Sequence, residues 1–123
     1  MRVFTISVMM LICSISSATA EAVKLSGDEI RDLISGNTAF GRLDGAKYHQ
    51  WFGPDHVTLR TTEGSTTIRG KWRVDDSSQE LQTLWVGEEI WTGRFIMEFG
   101  NTFYWVSKVT PPTPFQVHKG KIK

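Results

Sequence analysis

The sequence predicts a mainly β protein: an antiparallel meander that closes into a small barrel or sandwich of about seven or eight strands, preceded by one short N-terminal helix. Three observations predict it. From Thr66 to Val74 the residues alternate, with Thr66, Ile68, Gly70, Trp72 and Val74 on one face and Thr67, Arg69, Lys71 and Arg73 on the other. That is the period of a strand with one face on a core and one in water. After Asn37, short apolar and aromatic runs recur, each bounded by Gly, Pro, Asp, Asn or Ser, residues whose backbone preferences make turns. Ahead of them stands a single stripe of helical spacing, Ile30, Leu33 and Ile34.

The chain begins with Met1-Arg2, a mostly apolar run from Val3 to Ile15, and the small-x-small triplet Ala18-Thr19-Ala20. This predicts a cleaved secretory signal peptide over residues 1–20 and an exported protein, periplasmic or secreted. The run is too short to span a bilayer as a mature helix. Cys13, the only cysteine, lies within it. Ile12 before it is too bulky for a lipoprotein cleavage site, so no lipid anchor is expected. The mature chain, residues 21–123, then has no disulfide and no thiolate chemistry. Without Arg2 the basic residues equal the 13 acidic ones. A neutral chain has no field to draw nucleic acid or an anionic membrane, so neither nucleic-acid binding nor stable membrane insertion is expected. No linker, repeat or low-complexity segment divides residues 21–123, which read as one domain.

Leu25-Ser26-Gly27-Asp28-Glu29-Ile30 opens the helix. Ser26 as N-cap and Glu29 three residues on make a capping box, with Leu25 and Ile30 as its hydrophobic staple. Gly36-Asn37 ends it. Strands then follow over Thr38–Arg42, Lys47–Phe52, Val57–Thr61, the stretch Gly64–Val74, Glu80–Val86, Ile90–Phe99 and Thr102–Val109, with a short one over Phe115–His118. In the sixth, Trp91, Gly93, Phe95, Met97 and Phe99 share a face that reads as inward, with Ile96 the exception. Phe103, Trp105, Ser107 and Val109 continue the pattern. Trp72, Phe95, Phe103 and Trp105 are the expected core aromatics. Gly70 and Gly93 inside strands suggest bends or bulges that close a small barrel.

The helix opening, Gly36-Asn37-Thr38, the Phe52-Gly53-Pro54-Asp55 turn and Gly70-Lys71-Trp72-Arg73-Val74 together resemble small exported bacterial proteins of unknown function with a lipocalin-like, calycin-like mini-barrel. The resemblance covers roughly Leu25 to Val106. Gly70-x-Trp72 is similar to the Gly-x-Trp of lipocalins, which there lies on the first strand. Relatives of this kind often carry a cysteine in the strand after the Trp strand; Glu80–Val86 has none. The resemblance implies a barrel and supplies no active site.

For chemistry, His49, Asp55 and His56 are the nearest thing to a reactive cluster. Two histidines and a carboxylate can hold zinc or move protons, but their spacing fits no compact ligand motif. A surface hairpin with two unrelated histidines is the plainer reading. No serine has a nucleophile elbow around it. Asp75-Asp76-Ser77-Ser78 lacks the ligand spacing of a calcium loop. No cofactor is expected.

Arg69, Lys71 and Arg73 form a basic row that fits an anionic ligand or partner, against the plainer reading of a solvated face. Trp51, Trp85 and Trp91 are surplus to the clear core positions. Of these, Trp51 and Trp85 can stack on a sugar or enclose an apolar ligand; Trp91 shares the phase of the core. The expected function is therefore a non-enzymatic binding module for a small apolar ligand, a glycan or a protein partner. Trp51, Trp85, Arg69, Lys71 and Arg73 are its candidate binding residues. The alternatives are a hydrolase or metal enzyme built on the His49/Asp55/His56 hairpin, and a structural or stress-related envelope protein.

Overall fold

The computed structural model describes residues 21–122; the expected signal peptide and Cys13 lie outside them. The architecture is a closed, eight-stranded antiparallel barrel with one short helix, as the alternation and turn spacing predict. The elements are β1 (Val23–Lys24), α1 (Gly27–Ile34), β2 (Asn37–Leu43), β3 (Ala46–Phe52), β4 (Val57–Thr62), β5 (Ile68–Asp75), β6 (Glu80–Trp85), β7 (Thr92–Phe99), β8 (Thr102–Val106) and β9 (Thr113–Lys119). From β2 to β9 every strand pairs with the next, and β9 pairs back onto β2. The first-to-last register includes Phe40 opposite Gln116 and Ala39 opposite Val117. Closure of this kind leaves no long open edge. The two-residue strand β1 extends the sheet beside β7, with Val23 opposite Glu98 and Lys24 opposite Met97.

The helix starts as its sequence dictates. The Ser26 hydroxyl accepts from the Glu29 backbone N–H, and the Glu29 carboxylate accepts from the Ser26 N–H. That hydrogen bond to the Ser26 backbone holds the Glu29 pKa below its ordinary value. Leu25, Ile30 and Ile34 are buried in the core. Eight residues of isolated helix are not stable in water, so packing across one end of the barrel holds α1 in place. Ser26→Ala is expected to cost about 1 kcal/mol. A denaturant midpoint unchanged by it would show that docking alone sets the helix.

Two tight features set the barrel's shape. Asp44 and Gly45 both have positive φ (51° and 82°) in the two-residue β2–β3 turn, the geometry that matches the twist of paired strands. At Gly70 a Cβ would meet the Leu84 carbonyl oxygen at 2.6 Å and the Trp85 Cα at 3.0 Å. Pairing runs unbroken through Gly70 on both sides. The glycine there thus permits a close approach of β6, and the expected bulge is absent.

The inward face carries Tyr48, Gln50 and Phe52 from β3, Thr58 from β4, Gly70 and Trp72 from β5, Leu81 and Thr83 from β6, Ile96 from β7, Trp105 from β8 and Phe115 from β9, all buried. Phe52 meets Trp72 edge to face at 5.8 Å, and Trp105 stacks on Phe115 at 3.9 Å. Buried polar groups in this half are paired: Trp72 Nε1 donates to the Gly53 carbonyl at 2.9 Å, and Gln50 Nε2 donates to Thr58 Oγ1 at 2.8 Å.

The predicted phase of β7 is inverted. Ile96, read as the exception, is 0% exposed, while Phe99 is 48% exposed. Phe95 is not a core aromatic: it lies on the outer side, half-buried, with Lys24 Nζ 4.0 Å from its ring. Trp91 precedes the strand and lies outside beneath Arg73, whose guanidinium is 4.0 Å from its ring. The physical reason is shelter: the long cationic side chains of Lys24 and Arg73 lie over Phe95 and Trp91, so this outer surface tolerates apolar residues that a bare face would not. Two other predicted strands are shorter than expected: β5 starts only at Ile68, leaving out residues 64–67, and β8 ends at Val106, leaving out residues 107–109.

Candidate functional site

Up-and-down topology puts the β2–β3, β4–β5, β6–β7 and β8–β9 connections at one end of the barrel. The helix packs at the other end. The uncapped end opens into a cavity of about 800 Å³ whose lining includes Arg60, Thr83, Trp85, Arg94, Trp105 and Thr113. An eight-stranded barrel has room for side chains or for one small ligand. The core aromatics Phe52, Trp72 and Phe115 pack in the helix-capped half, and a second hollow of about 800 Å³ lies beside the helix, lined by Leu33, Asn37, Phe103 and Val117 among others.

Alternation places each of these side chains. Arg60 follows buried Thr58 by two residues, Trp85 follows buried Thr83 by two, and Arg94 precedes buried Ile96 by two, so all three share the inward phase. The Arg60 guanidinium lies 4.7 Å from the Trp85 ring, and that of Arg94 lies 4.8 Å from the Trp105 ring. Below them Trp105 Nε1 donates to the Tyr48 hydroxyl at 2.8 Å. The mouth therefore has two indole walls, each faced by a guanidinium, over a hydrogen-bonded aromatic floor.

Its electrostatics are unusual for a small domain. Both ion pairs among the described residues belong to Arg31, with Asp28 and Asp76. Neither Arg60 nor Arg94 has a carboxylate at ion-pair distance among those residues. Arg60 Nε is buried without a hydrogen-bond partner. Burial lowers the Arg60 pKa, and the nearby Tyr48 phenol and Glu88 carboxylate oppose that fall. Burial likewise lowers that of Arg94, and the Arg60 charge lowers it further. Burial raises the Tyr48 pKa, and the two arginines oppose that rise. An arginine does not escape its desolvation by losing a proton, so both stay charged. Glu88, at the rim, turns its carboxylate to the Trp85 backbone N–H at 3.1 Å. The loops following β6 and β8 also carry exposed apolar side chains, Val86, Ile90 and Val109 at 77%, 80% and 89% exposure, among charged neighbours such as Glu88 and Lys108.

Of the residues named from sequence, Trp85 lies in this mouth. Trp51 is on the outer face of β3, where Lys121 Nζ is 5.8 Å from its ring. Arg69, Lys71 and Arg73 are exposed on the outer face of β5, and Arg73 Nε donates to Gln82 Oε1 at 2.7 Å. The structure does not bring Trp51 or the basic row together with Trp85. His49 lies opposite Thr61 in mid-strand. His56 sits in the turn before β4 at positive φ, its ring 4.8 Å from that of Trp72 and its Nδ1 3.1 Å from the Trp72 carbonyl oxygen. Asp55 accepts from the Val57 N–H. No group of three His, Cys, Asp or Glu that could hold a metal exists among the described residues.

Arg60, Arg94 and Tyr48 are absent from the sequence-derived site. The available signal was Ile96: an isoleucine out of phase with its strand marks the other face as inward, and Arg94 with it. No family model, curated protein or solved structure matches the chain.

Proposed function

We propose that the chain is a non-enzymatic, exported binding module that takes the apolar body of a small ligand into the open end of its barrel. One observation carries the proposal: a cavity of about 800 Å³ at the open end of the barrel, walled by Trp85 and Trp105 with Arg60 and Arg94 against their rings. Cavities of this size with aromatic walls and a few placed polar groups suit small ligands. The leader-like first 20 residues and the resemblance to exported lipocalin-like mini-barrels support the location and the class. A hydrolase built on His49, Asp55 and His56 finds no support in the geometry, since those side chains face different surroundings.

The test is a titration with phenylnaphthylamine, a neutral apolar dye that brightens in a dry site. Saturable one-to-one binding that Trp85→Ala weakens by about tenfold is expected, in line with the loss of a stacking wall. Absence of saturable binding to the folded protein would overturn the reading.

A further inference from the structure

The two arginines of the mouth define its ligand more closely, on the premise that the mouth is the binding site. In the helix-capped half of the barrel the Trp72 indole N–H and the Gln50 amide have partners within the protein. In the open half Arg60 Nε has none. Two guanidinium groups share this half, close enough for the charge of one to bear on the other. Asp44, Glu80 and Glu88 also line the mouth, but none lies within ion-pair distance of either guanidinium, and two like charges in a partly buried space are unfavourable unless something meets them directly. The nearest carboxylate influence, Glu88, is engaged with a backbone N–H at the rim. Arginine presents a planar fork of donors suited to carboxylates and other oxyanions. Each fork here lies against an indole face, which leaves apolar surface beside the charge.

We infer that the mouth takes a small organic anion with an apolar body, its negative group held by the Arg60 and Arg94 guanidinium groups and its body against Trp85 and Trp105. The mixed rim, with exposed Val86, Ile90 and Val109 beside Lys108, suits the entry of such an amphipathic molecule. A fully hydrated inorganic anion would leave the indoles unused, and a neutral ligand would leave the arginines unmet.

A matched pair of dyes separates this inference from the reading it rests on. Anilinonaphthalene sulfonate has the aromatic body of phenylnaphthylamine plus one sulfonate. The wild-type protein is expected to bind the sulfonate at least about tenfold tighter than the neutral dye, a gain typical of charge-assisted hydrogen bonds. Raising salt from about 0.05 to about 0.5 M should weaken only the sulfonate, within the limits of screening at a partly buried site. Arg60→Met and Arg94→Met should each abolish most of the preference for the sulfonate over the neutral dye, both dyes being measured on the same variant. Octanoate should displace the sulfonate at lower concentration than octanol does, and inorganic phosphate should not displace it.

Equal affinity of the wild-type protein for both dyes would overturn the anion and leave the mouth as a neutral apolar site. Failure of both dyes to bind would overturn the mouth itself. Because the wild-type comparison is decisive alone, the outcome does not depend on either arginine variant folding.

Discussion

Trp72→Ala is expected to remove about 3–5 kcal/mol of stability, the range for a large aromatic deleted from a well-packed core. Trp72 is 2% exposed. It meets Phe52 edge to face, carries the His56 ring on its other side, and donates to the Gly53 carbonyl. Deletion empties the centre of the helix-capped half and unpins the β3–β4 turn. Each kcal/mol shifts the midpoint of a domain this size by roughly 4–8 °C, so the fall should amount to tens of degrees. Trp72→Phe keeps most of the buried area and loses the hydrogen bond, at about 1–2 kcal/mol. Urea unfolding followed by far-UV circular dichroism measures both. An alanine variant within about 1 kcal/mol of wild type would contradict the packing described.

Arg60→Met is expected to act in the opposite direction, raising stability by about 1–2 kcal/mol, the scale of a relieved unsatisfied buried donor. Methionine keeps an unbranched stem against Trp85 and removes the charge, the unpartnered Nε and its repulsion of Arg94. The lost guanidinium–indole contact offsets part of the gain, about 0.5–1 kcal/mol. A more stable protein that no longer prefers the anion would be the signature of a group retained for binding at the expense of folding. Arg60→Lys keeps a charge in the same place, so it should not reproduce the gain. A Met variant less stable than wild type would identify the guanidinium as structural cement.

The residues explain why the fold was more legible than the site. In α1 the capping box and staple are local, three and five residues apart, and need no knowledge of the rest of the chain. In β5 the basic row and Trp72 mark opposite faces without conflict. The β7 strand misled because the Lys24 side chain, from the two-residue β1 paired beside it, lies over the outer ring of Phe95. No periodicity rule reports a shelter supplied from so far along the chain. The site was obscured for a related reason. Arginine reads as a solvent-facing residue, so inward Arg60 and Arg94 look like ordinary surface positions. Departures from alternation tend to concentrate where a protein gives up stability for function. Trp85 was recognised because an aromatic surplus is visible without knowing which way it points; Trp51, equally surplus, points outward.

The pairing of β2 with β9 also governs the order of events in folding. The ring of strands cannot complete until a segment near residue 116 meets one near residue 40. Contacts of such separation are slow to form, because loop closure precedes any reward from pairing. Until then β2 and β8 each expose an unpaired edge, and the aromatics of the core are open to water. A chain still being synthesised therefore holds no finished barrel until the segment around residue 116 is available to pair. The same registry that removes sheet edges from the finished protein makes its acquisition all-or-none and late.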